Sequence, residues 1–144
     1  MNGIDANFLL TVQKFFVKPK NVILPVYGSI KVYELTTETG KYTFYFDYDR
    51  RGMYEDKTKM QLRYYNIPII RLELNTRFHQ NPDKKLISKN HIHIYDKKNI
   101  MQYAYELQSI FDEDIIKMNT ADRFILFCNY AKINIKGINL QEVL

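Results

Sequence analysis

In "KYTFYFDYD" the aromatic residues Tyr42, Phe44, Phe46 and Tyr48 fall on every second position. Side chains in a strand alternate between two faces, so this period places a row of rings on one side of a sheet and polar groups on the other. The same alternation returns in "IPIIRLELN", where Ile70, Leu72 and Leu74 share one face and leave Arg71 and Glu73 on the other. In "HIHIYD", Ile92 and Ile94 turn inward and His91, His93 and Tyr95 turn outward. With "KMQLRYY", "MQYAYEL" and the short runs of "NVILPVYGSIKVYELTT", this predicts an antiparallel sheet of about six strands, with Pro25 and Gly28 interrupting the third run. "TETGK" supplies a hairpin turn at Gly40.

Helical spacing is confined to the two ends. Apolar residues at 4, 8, 9, 12, 15 and 16 predict an N-terminal helix closed by Lys18-Pro19. Thr120 is the expected cap of "ADRFILFCNYAK", whose apolar residues nearly encircle it and predict a helix buried on the sheet. The expected architecture is therefore α+β: one domain over residues 1–144, with an N-terminal and a C-terminal helix. Hairpin connections argue against a doubly wound nucleotide fold, and the glycines are scattered singly, so no phosphate-cradling glycine loop is present.

A lone cysteine, Cys128, excludes an intramolecular disulfide and a cysteine-based zinc site, and its apolar neighbours mark it as a small buried hydrophobe. "MNGIDANFLLTVQKFF" is too short and too polar for a signal peptide or a spanning helix, so a reducing cytoplasm is the expected compartment. Between Arg77 and Lys98 six basic residues stand against two acidic ones, a net +4 of the chain's +5. A local field of that sign favours a phosphate-bearing partner.

All histidines, His79, His91 and His93, lie in "RFHQNPDKKLISKNHIHIYDKK". His91 and His93 stand on one strand face, roughly 7 Å apart at their α-carbons, and face a cleft or solvent. Asn81-Pro82-Asp83 makes a bend that brings His79 and Asp83 towards them. Imidazole is the side chain whose ordinary pKa suits proton transfer near neutrality, and fixed cations suit a crowded phosphorane. The set therefore suits cleavage of an RNA phosphodiester, in which the 2′-hydroxyl is a built-in nucleophile and no metal or other cofactor is required. The expected catalytic residues are His91 and His93, with His79 as a third. Arg71 and Arg77 are assigned to the phosphate, and Lys84, Lys85, Lys89, Tyr95, Lys97 and Lys98 to the surrounding nucleic acid. Three other readings stay open. The H-x-H pair with His79 or Asp83 is similar to three-histidine catalytic zinc. The same basic face can bind nucleic acid without cutting it. The histidines can also serve only to brace the loop.

"YDRRG", "MQLRYYNIPIIRLELN" and "RFHQNPDKKLISKNHIHIYD" resemble a family of small bacterial and phage proteins with no assigned activity. Its pattern maps onto Arg50-Arg51-Gly52, Arg71-Leu72-Glu73, His79, Asn81-Pro82-Asp83, His91, His93 and Tyr95. That family often carries glycine after the aspartate, where this chain has Lys84. More distantly, the clustered histidines resemble endoribonuclease toxins of toxin–antitoxin pairs, and the chain is similar in kind to anti-CRISPR inhibitors. The resemblance implies a mobile-element setting. The partner it implies is RNA, an RNA-guided defence complex or a cognate antitoxin, and the rival to the nuclease is a non-enzymatic inhibitor that occupies the nucleic-acid site of a host defence nuclease.

Overall fold

The computed structural model describes residues 5–18, 21–53 and 56–142. The chain opens with helix α1 (Ala6–Thr11), followed by strands β1 (Lys14–Phe16), β2 (Asn21–Ile23), β3 (Ile30–Thr36) and β4 (Thr43–Asp49). Next come β5 (Thr58–Tyr64), β6 (Ile67–Leu74), β7 (His79–Gln80), β8 (Leu86–Ile87), β9 (His91–Ile94) and β10 (Ala104–Glu106). Helix α2 (Thr120–Tyr130) and strands β11 (Ile133–Asn134) and β12 (Asn139–Gln141) complete it.

Eight strands form one sheet in the order β10-β9-β6-β5-β4-β3-β1-β11. Its neighbours are antiparallel except at one edge, where β1 and β11 run parallel. Two small ribbons flank it, β2 with β12 and β7 with β8. This corrects the expected six-stranded sheet with a helix at each end: the protein is mostly sheet, and its helices are minor elements.

Two local misreadings explain the difference. Helix α1 stops at Thr11, because Lys14–Phe16 is a strand paired with both β3 and β11. Phe15 and Phe16 fit a pleated, half-buried surface, and pairing on both sides outweighs a helical periodicity carried by few residues. Ile4 and Pro19 of that expected helix lie outside the described residues. At the other end α2 is not terminal. The tail after it joins the sheet as β11 beside β1, and then pairs with β2 as β12 in the small ribbon. The cap of α2 also sits one residue earlier than expected: the side chain of Asn119 accepts from the Asp122 N–H at 2.8 Å.

One face of the sheet carries the core. Phe44, Phe46 and Tyr48 of β4 are buried with Met60, Leu62, Ile70, Leu72 and Ile92, beneath Phe124 and Phe127 of α2. Phe46 stacks on Phe127 with ring centroids 4.7 Å apart, and full burial of each such ring contributes about 1.5–3 kcal/mol. Cys128 is buried here as expected. Because α2 covers this face, the polar alternate of β5, β6 and β9 is left to the other side. No helix among the described residues is long and apolar enough to cross a membrane.

Candidate functional site

Strand register decides which outward residues meet. Across β5, β6 and β9, Lys59 lies opposite Glu73, and Glu73 opposite His91. One pleat further along, Gln61 lies opposite Arg71, and Arg71 opposite His93. The floor of the site is thus a small lattice of cross-strand pairs on two adjacent rows. His79 comes from outside the main sheet, on the β7–β8 ribbon, with its ring centroid 4.8 Å from that of His93 and 5.9 Å from that of His91. His91 and His93 are themselves 5.0 Å apart and nearly perpendicular. The three imidazoles converge.

Glu73 is the centre of the cluster. Its Oε2 lies 3.1 Å from Nε2 of His91 and 3.2 Å from Nε2 of His93. Arg71 Nε stands 3.6 Å from the same oxygen, and Lys59 Nζ 3.7 Å from Oε1. Burial opposes ionisation of this carboxyl, but the two imidazoles and Arg71 outweigh it and hold its pKa well below the usual carboxylate range. Burial likewise opposes the charge on His91, yet the bond to Glu73 and the Ser88 carbonyl raise its pKa above the ordinary histidine value. Arg71 Nε is buried and has no hydrogen-bond partner among the described residues.

The far side of each strand ring is also fixed. Nδ1 of His91 lies 2.6 Å from the Ser88 carbonyl, and Nδ1 of His93 lies 2.8 Å from the Met101 carbonyl. A carbonyl only accepts, so each Nδ1 carries the proton and each Nε2 turns to Glu73. His79 is held the other way round. Its Nε2 donates to the Gln102 carbonyl at 2.8 Å, and its Nδ1 has no partner among the described residues.

The cluster forms the floor of a pocket of about 290 Å³ lined by Lys57, Lys59, Arg71, Glu73, Thr76, Arg77, Phe78, His79, His91, His93 and Met101. His91 and His93 are each only 2 % exposed, sunk beneath β7 and the segment at Met101 and Gln102 rather than facing open solvent. Of the sequence-predicted residues, Arg71, Arg77 and the three histidines line this pocket, while Lys84, Lys85, Lys89, Lys97 and Lys98 do not. Those lysines are exposed on the turns around it. Tyr95 follows the last residue of β9, leaves its alternation and packs against the hydrophobic core. Two cations of the rim, Lys57 and Lys59, were not expected, and Glu73 received no chemical role from the sequence. The outward phase of Lys59, Gln61 and Arg63 in "TKMQLRY" was the available signal for Lys59.

The Asn81-Pro82-Asp83 bend is built as a sheet closure. The Asn81 amide donates to the Ala104 carbonyl at 3.0 Å and accepts from the Ala104 N–H at 2.8 Å, so it substitutes for a strand beside β10. Lys84 takes a left-handed backbone with φ +76°, closed by its N–H on the Asn81 carbonyl at 2.8 Å. A glycine would take that conformation without strain. This lysine bends the loop as a glycine would.

A family model matches residues 1–133. The chain belongs to the DUF6978 family, a family of unknown function. No curated protein and no solved structure matches it. The histidine pocket of this DUF6978 chain lies within the matched residues.

Proposed function

We propose that this protein is a small RNA-binding protein whose histidine pocket cleaves a phosphodiester. The observation that carries the reading is the convergence of three imidazoles on the floor of a pocket whose rim holds Lys57, Lys59, Arg71 and Arg77. A phosphate meets fixed cations there, and Nδ1 of His79 is the ring nitrogen of the three without a partner among the described residues. In the proposed step, that nitrogen takes the 2′-hydroxyl proton and the 2′-oxygen attacks phosphorus. The bond from phosphorus to the 5′-oxygen breaks, the leaving oxygen takes a proton from water, and a 2′,3′-cyclic phosphate remains. His91 and His93 have both ring nitrogens engaged, so in this reading they hold Glu73 and shape the floor instead of transferring the substrate's protons.

The test is incubation with single-stranded RNA, reading the ends of the products. Cyclic phosphate ends that disappear in His79→Ala and weaken in Arg71→Gln support the reading. Intact RNA across a panel of sequences, with divalent metal ions present and absent, overturns it. A second reading is favoured by the exposed side chains of Phe78, Leu86 and Ile100, at 61, 63 and 57 % exposure, set among the loop lysines. Apolar groups inside a basic patch suit a protein that itself binds nucleic acid. On that reading the chain is a non-enzymatic inhibitor of a defence nuclease from a phage or plasmid conflict. Intact RNA together with tight binding to such a complex selects it.

A further inference from the structure

We propose that Glu73, His91 and His93 bind one first-row divalent transition metal ion, of which zinc is the representative. The inference concerns the pocket already described but does not depend on cleavage of RNA. It starts from the protons. Backbone carbonyls of Ser88 and Met101 fix both Nδ1 atoms as N–H donors, so in the neutral rings the lone pairs sit on the two Nε2 atoms. Both Nε2 atoms then point at one oxygen of one carboxylate, from 3.1 and 3.2 Å. A divalent ion seated between them would take both nitrogens and the carboxylate oxygen as ligands at once.

The geometry agrees. The three donor atoms lie within 4.8 Å of one another. Bonds of about 2.0–2.1 Å in a tetrahedral site separate ligand atoms by roughly 3.3 Å, close to the spacings observed between each nitrogen and the oxygen. Metal-bound imidazoles usually donate their other N–H to a backbone carbonyl or carboxylate, which is the arrangement at Ser88 and Met101. Two imidazoles and one carboxylate are a borderline donor set suited to zinc, cobalt, nickel or ferrous iron rather than calcium or magnesium. The set leaves coordination positions towards the pocket. Arg71, whose buried Nε has no hydrogen-bond partner among the described residues, stands beside them and is placed to meet an anion bound to the ion.

The experiment uses the full chain, stripped with a chelator and dialysed. Zinc content by elemental analysis and Co(II) titration followed by visible absorption measure stoichiometry and coordination. One ion per chain is expected, with the d–d bands of a low-coordinate site. Glu73→Gln and His93→Ala should each weaken binding at least tenfold, and zinc should raise the melting temperature of the wild type but not of Glu73→Gln. Glu73→Gln changes little in volume, and circular dichroism confirms that it folds. No stoichiometric binding, or binding unchanged in both variants, overturns the inference. The two proposals fail separately. A chain that binds one ion and leaves RNA intact keeps the metal site and removes the nuclease, whereas metal-free protein that binds no zinc yet cuts RNA does the reverse.

Discussion

Lys14 is the most exacting test of how this fold holds charge. Its side chain is fully buried at the junction of β1, β11 and the end of α2, where Nζ donates to the Ala131 carbonyl at 2.9 Å and lies 5.0 Å from the centre of the Phe44 ring. Burial, with repulsion from Lys132, pushes its pKa down from 10.5 to about 7. A fall of that size corresponds to about 5 kcal/mol of stability withheld when the amine is charged. The folded pKa lies below the unfolded one, so between pH 7 and 10.5 the unfolded chain holds more protons and stability rises with pH. Below that window the penalty is complete, and above it the penalty is gone. Lys14→Met removes the charge but orphans the Ala131 carbonyl, a loss of about 1–3 kcal/mol. The variant should therefore be more stable than the wild type by about 2–4 kcal/mol at pH 6 and less stable by about 1–3 kcal/mol near pH 10.5. Urea unfolding followed by far-ultraviolet circular dichroism at pH 6, 8 and 10.5 measures the crossing, and the difference between the curves cancels every other titrating group. A gap of constant sign and size across this range would refute the reasoning, since Lys14 would then titrate alike in both states.

Three further outcomes follow from local geometry. Asn81→Ala removes both bonds to the Ala104 backbone and leaves a buried N–H and C=O unpaired, so it should lower stability by about 2–4 kcal/mol; thermal unfolding reads this directly. Lys84→Gly relieves a left-handed residue at φ +76°. Set against the extra freedom of unfolded glycine, it should raise stability by about 0.5–1 kcal/mol, seen as a higher urea midpoint at unchanged slope. Arg77→Ala, at the pocket rim, should weaken RNA binding and reduce the magnitude of the salt dependence, log Kd against log salt, by about 0.7.

The sheet was legible where one face of a strand is covered by α2. β4, β5, β6 and β9 alternate because Phe44, Phe46, Met60, Leu62, Leu72 and Ile92 all need the same buried side. β1 was illegible for the opposite reason. Its three residues put a lysine into the core, and a buried cation breaks the pattern that marks a strand. The edge strand β11 is likewise set by a partner more than a hundred residues away, Lys14 against Ile133, and short segments of that kind carry little local signal.

The site divides in the same way. That His91 and His93 share a face follows from a period of two, and the structure agrees. That Glu73 and Lys59 join them depends on the register of three strands, and slipping one strand by a single residue would turn its side chains to the other face. The direction of each ring nitrogen is further out of reach. It is decided by the carbonyls of Ser88, Met101 and Gln102, a group that every residue carries, so no side-chain pattern can announce which of them will face an imidazole. Yet those three oxygens determine the chemistry. They turn His91 and His93 inward on Glu73 and leave Nδ1 of His79 without a partner among the described residues. The sequence assigned all three rings the same work because it showed where the rings lie and not which way they are held.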